Sequence, residues 1–450
     1  MSPPPAGGLL KFKLALMMFL QFFIWGAWYE LGFDYIPKLG FNDVWQQPLV
    51  FGAFNVGALV ALFFSTQFAD RKFAAEKFLA LSHLIGGLAM IGLFFIKKEP
   101  GEASAPFWPF FFLMLVHSVF YVPTISITNS IAFANLRDPA REFGPVRVWG
   151  TIGWIAASWP FIFILTDWAK VPAFGDVGFG EWLGKVFGTS LEGDAAMNLK
   201  AYIFLVAGGA SLVLALFSLA LPHTPPKPAV AGDDALAWVK AMKLLKHPFV
   251  MVLFLVTFID AAVHQSFFFW TFTFLGPKGD GGVVDIPANW VGPVMKIGQI
   301  AEIVTMLFLG YVLRNLGWRM TMGIGVLGHA ARFAVFAFFP EQVPAILINV
   351  VHGICYAFFF ATVYIFVDEF FPKDVRSSAQ GLFNVLILGL GPFAANFACG
   401  RLKAEYSVGK SVDYPIVFQY SMFAALIGAL ILFLFFHPPR DRAAEPPQSA

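Results

Sequence analysis

Several polar and ionisable side chains stand inside long apolar stretches of this sequence, and their spacing sorts them into groups. Arg147 and Thr151, in FGPVRVWGTIGW, are four residues apart and share a face if the stretch is helical. A guanidinium beside a hydroxyl can clamp a polyhydroxylated solute; the other reading is an anchor whose charge snorkels to a membrane surface. Asp260 and His264 are also four apart, with Gln265 the next position round. They could bind a polar solute, relay a proton, or form a hydrogen-bonded pair between helices. Lys296, Gln299 and Glu302 follow, the last two facing one way. A carboxyl group in an apolar interior is a candidate proton carrier, because loss of water disfavours its ionised form. Glu302 could equally be paired with a cation, Lys296 or Arg147, and both readings hold if coupling works by breaking such a pair. His117 and His352 are isolated histidines that can be structural or functional. Trp25, Trp28, Trp149, Trp154 and Tyr356 can stack on a flat ligand or simply pack. Glu30 and Asp34 fall in the outer third of the first apolar run, where interfacial placement costs little, and rank below Glu302.

No enzymatic or metal pattern accompanies these residues. H-E-x-x-H, C-x-x-C, G-x-S-x-G and the phosphate-binding P-loop are all missing from the sequence. The expectation is a protein that is not an enzyme, holds no metal or cofactor, and draws on an ion gradient, with protons the first candidate, instead of ATP. Cys355 and Cys399 both sit in apolar runs, so a disulfide framework is not expected.

The elements that must position these groups are membrane helices. Of 450 residues, 58% are hydrophobic, 13% are charged and 56 are Phe. Such a chain can turn its apolar side chains outward only if its solvent is lipid. A net charge of +2 gives no reason to expect nucleic acid as a partner. About 20 residues cross the hydrocarbon core as a helix. Twelve runs qualify, near 13–36, 46–68, 75–96, 106–133, 144–167, 200–221, 248–275, 289–313, 318–339, 343–367, 377–400 and 414–436. The first run continues past Trp25 and Trp28 without a cleavage site, so it reads as a helix and not as a signal peptide. The longest polar break follows the sixth run. It divides the chain into a half at 1–222, a linker at 223–247 and a half at 248–450. Taking the termini and alternate breaks as one side places seventeen Lys and Arg there against ten opposite. That side is expected to be cytoplasmic, with both termini inside. Tyr121 followed by Arg147 and Gly150 hints at a repeat of Tyr356 followed by Arg376 and Gly381. Two six-helix halves with matching motifs, and an Asp70–Arg71 turn in FADRKF, fit the major facilitator fold, where substrate binds between the halves.

Seven stretches, in order along most of the chain, resemble the nucleoside:proton symporter family of that superfamily. They are LQFFIWGAWYE, SVFYVPTISITNSIAF, FGPVRVWGTIGW, LPHTP, IGQIAE, ARFAVFAFF and VRSSAQGLF. The resemblance implies an all-α protein of the bacterial inner membrane that imports a small nucleoside and works as a monomer in the lipid bilayer. It also implies that Arg147, Thr151, Gln265, Gln299 and Glu302 contact the substrate and that Glu302 takes part in proton coupling. Trp154 stands where Phe is usual in a related permease, Phe268 where Asn is, and His352 where Tyr is, while Tyr356 keeps an aromatic position. Ala357 replaces an Asp tied to coupling; Asp260, His264 or His352 could take its place, or the protein could be a uniporter. Lys296 is a further departure that could recognise an anionic group. The rivals are a facilitator for a sugar, a nucleobase or another metabolite, a nucleoside-binding receptor without transport, and a membrane enzyme.

Overall fold

A computed structural model describes residues 7–64, 74–226, 242–371, 376–409 and 411–438. Asp70, Arg71, Lys373 and most of the 223–247 linker lie outside them. Among the described residues the chain is helical almost throughout, as lipid demands of a chain that must satisfy every backbone N–H and C=O internally.

The described residues make twelve helical passes. The first half holds α1 (Gly8–Tyr35), α2 (Gln46–Phe64), α3 (Ala75–Phe94), α4 (Phe107–Asn135), α5 (Pro139–Ala156, extended by Trp159–Ile164) and α6 (Tyr202–Ser218). The second half begins with α7 (Pro248–Leu275). Ala288–Met295 and the long helix Ile297–Phe338 follow, broken at Gly317, where φ is 72° and ψ is 175°. This conformation is essentially open only to glycine. It separates α8 (288–316) from α9 (318–338) at the break expected from the sequence. α10 runs from Gln342–Leu347 to Thr362–Phe370, α11 from Arg376–Asn384 to Gly391–Tyr406, and α12 is Tyr414–Phe435. Asp413 caps α12 by accepting the Ile416 N–H at 3.3 Å.

The two halves repeat one packing scheme. In the first, α1 packs on α5 and α6, α3 on α6, and α2 on α4. In the second, α7 packs on α11 and α12, α9 on α12, and α8 on α10. Glycines set the closest approaches. A Cβ on Gly153 would lie 2.1 Å from the Phe19 carbonyl oxygen, and one on Gly353 would lie 2.4 Å from the Glu302 nitrogen. The outward faces are apolar and open, as at Leu216 and Leu307.

The halves meet along α1–α7, α2–α11 and α5–α8. Among the described residues, their mutual hydrogen bonds and ion pairs run from the middle of the bundle to the end away from the termini. There Lys200, 2% exposed and bound to Asp34 of its own half at 2.6 Å, reaches Asp280 of the other half at 3.8 Å. Thr273 donates to Asp34, Trp290 to the Phe187 carbonyl and Lys403 to Gln47. Glu30 and Asp34, expected at a cheap interface, are instead buried and ion-paired.

Candidate functional site

α5 brings Arg147 inward eight residues after its first residue, Pro139. The guanidinium lies over the Phe22 ring at 4.2 Å and within electrostatic reach of Glu302 and Tyr356 on the opposite half. Gly150 makes room, since a Cβ there would meet the Arg147 Nη1 at 2.6 Å and the Phe22 ring at 2.7 Å. Thr151 stands one turn further along the same face. Arg147, Thr151, Glu302 and Tyr356 are all half-buried. Among the described residues, none of their side chains has a hydrogen bond or an ion pair. Polar groups at this depth in a membrane bundle require a hydrated chamber or a polar solute. Tyr356 also opens a π-helical turn, Tyr356–Ala361, an irregularity frequent at functional sites.

Gln299, one turn from Glu302, points into α10 and contacts His352, with Nε2 atoms 3.3 Å apart. Behind His352 lies a buried cationic hub. Arg332, 0% exposed, reaches Nδ1 of His352 at 2.7 Å and Nδ1 of His329 at 2.9 Å, and lies over the Phe267 ring at 3.8 Å. Asp260 lies 3.7 Å from His329 Nε2, and His264 is ringed by His329 and His352. Asp260, His264 and His352 therefore belong to one cluster. Gln265 is engaged elsewhere: it accepts from Tyr29 at 2.7 Å and donates to Asn396, which donates to Asn55, so it bridges the halves. Lys296 is paired with Glu30 at 2.8 Å, not with Glu302, and lies 4.4 Å over the face of Trp154. That ammonium covers a face of Trp154 that a stacked base would need.

The sequence profile of the nucleoside H+ symporter family matches residues 9–174 and 163–441, nearly the whole chain. The chain belongs to the nucleoside H+ symporter family. Among its relatives, the putative nucleoside transporter YegT of Escherichia coli K12 is 28% identical over 94% of this chain and 92% of its own. The xanthosine permease of the same organism is 27% identical over 96% and 97%. The solved structure of a point mutant of the nucleoside transporter NupG superposes with a TM-score of 0.78 at 23% identity, covering 95% of this chain and 100% of that one. The shared fold is the major facilitator fold of two six-helix halves.

Two features of the site are not reached by reading residues one at a time. Arg332 was visible only as a basic residue in an apolar run, yet it organises Asp260, His329 and His352. The depth of Glu30 in the first apolar run gives no sign that it, and not Glu302, is the carboxylate paired with Lys296. His117 proves structural, bonded to the Gly86 carbonyl at 3.1 Å and stacked on Tyr121. A hollow of ≈540 Å³ between the terminal ends of α1 and α5, lined by Lys11, Phe12, Phe19 and Trp149, lies apart from the candidate site.

Proposed function

We propose that the protein imports nucleosides across the bacterial cytoplasmic membrane by proton symport and alternating access, with both termini cytoplasmic and the monomer as the working unit. The observation that carries this reading is the set of half-buried polar side chains without a hydrogen bond or ion pair among the described residues, Arg147 and Thr151 from one half and Glu302 and Tyr356 from the other, with Arg147 within electrostatic reach of the last two. The names of the relatives, nucleoside transporter and xanthosine permease, agree with it. Arg147 and Thr151 hold the ribose, Gln299 reads the base edge, and Tyr356 packs against the ring. Gln265 joins them when its bonds to Tyr29 and Asn396 exchange for ligand as the halves rock. Trp154 stacks on the base once Lys296 moves off its face. Glu302 carries the proton, with the Asp260–His264 cluster as the second titrating group. The protonated carrier must bind substrate more tightly than the unprotonated one for solute to follow the gradient.

The test is uptake of labelled uridine or adenosine into cells or proteoliposomes, challenged by free ribose, nucleobases and disaccharides. Competition by nucleosides alone supports the proposal; competition by a sugar or a free base at equal potency replaces it with a facilitator for that solute. Detergent binding without uptake would indicate a receptor. One observation favours a second reading, nucleoside uniport: Ala357 stands where the family resemblance implies a coupling Asp.

A further inference from the structure

The buried hub around Arg332 fixes more than charge. An arginine side chain only donates hydrogen bonds, so the two imidazole nitrogens it reaches must accept. His352 Nδ1 therefore carries no proton, and the ring proton is on Nε2, the atom that faces Gln299. If Gln299 turned its amide nitrogen to His352, donor would oppose donor, and Oε1 would be buried without a partner. Turning the amide over cures the first fault, since Oε1 then accepts from His352 Nε2–H, and it puts the NH₂ group in the buried, partnerless place that Oε1 held, a donor left for an acceptor on the ligand. Amide orientation is decided by such bonding and not by shape.

We infer that His352, held in one tautomer by Arg332, sets the direction of the Gln299 amide, so that this position donates to a hydrogen-bond acceptor on the Watson–Crick edge of the nucleoside base. The inference rests on Gln299 being a nucleoside ligand. Arg332 and His352 are positioning residues in it. A Tyr hydroxyl, which donates or accepts, would leave the amide free to turn; His352 allows it one direction. Gly298 keeps the two helices close enough for the bond, since a Cβ there would stand 2.7 Å from the His352 Cβ. The outer end of the chain is anchored as well: His329 Nδ1 accepts from Arg332, which leaves its Nε2–H toward Asp260.

The consequence is selectivity between nucleosides that exchange donor and acceptor at one position. Uridine and cytidine are one such pair, inosine and adenosine another. The unaltered protein should separate the members of each pair by about tenfold in competition for uptake, the scale of one satisfied against one opposed hydrogen bond. The sign identifies the base atom that Gln299 meets. In His352→Phe the amide turns to suit either partner and the separation falls to about twofold or less. In Gln299→Glu, which only accepts, the preference reverses. A wild-type protein that does not separate the pairs, or a His352→Phe variant that keeps the full separation, overturns the inference and leaves nucleoside transport standing. A Gln299→Ala variant with unchanged affinity and unchanged preferences removes Gln299 from the site, and the inference with it. If His352→Phe does not reach the membrane folded, nitrogen-15 histidine spectra of the unaltered protein decide. An Nε2–H tautomer at His352 supports the inference and an Nδ1–H tautomer overturns it.

Discussion

At the scale of residues, the account distinguishes polar groups satisfied by protein from those left for a solute. Arg147 lies on the Phe22 face and has no hydrogen bond or ion pair among the described residues. Arg147→Ala should therefore lower nucleoside uptake at least about a hundredfold, the loss of charged hydrogen bonds, while the detergent melting temperature changes little. Melting that collapses together with uptake would make Arg147 a structural residue. Lys296 and Glu30 present the opposite case, a closed pair of buried charges 2% and 3% exposed. The contact is an ion pair without good hydrogen-bond alignment, so both atoms keep unused capacity. Removing one partner strands the other charge at about 3–5 kcal/mol, whereas removing both costs far less. Lys296→Met and Glu30→Gln should each lower the melting temperature, and the double variant should recover most of the loss. Additive losses in the double variant would refute the pairing. The polar residues themselves were legible in the sequence because lipid makes each of them expensive. Their partners were not, since Glu30 and Lys296 lie 266 positions apart and only the meeting of the two halves joins them.

At the scale of elements, helix ends were legible and helix contacts were not. The break between α8 and α9 was readable because a polar stretch with a glycine interrupts two apolar runs, and Gly317 does supply the turn. Gly317→Ala should cost about 1–3 kcal/mol, read as a lower melting temperature with transport retained. A variant as stable as the parent would show that the turn relaxes. The close crossing of α8 and α10 had no sequence signal beyond small residues, yet it positions Gln299 against His352 and Glu302 near Tyr356. Gly353→Val would drive a side chain into the Glu302 backbone. Overpacking of this kind costs about 1–3 kcal/mol. Transport should fall further than that stability loss alone explains, because the two site residues move apart; retained transport with a wild-type affinity would separate the crossing from the site.

At the scale of the whole molecule, the two halves are bonded from mid-bundle to the end away from the termini, and transport requires those bonds to part. A short thiol cross-link between Gln47→Cys and Lys403→Cys, whose parent side chains are hydrogen-bonded at 3.2 Å, should stop uptake. Native Cys355 and Cys399 are buried and should not compete for the reagent. Uptake that persists in the cross-linked protein would mean that this end does not open. The division into halves was legible from apolar runs and the long break after the sixth. The conformation was not, because the same sequence must be able to close either end. The most direct test is the rate of nucleoside uptake into proteoliposomes with and without an inward proton gradient, for the unaltered protein and for Glu302→Gln. The account predicts gradient-driven accumulation in the first and only gradient-independent equilibration in the second. Accumulation of the same size in both would contradict the placement of the coupled proton on Glu302.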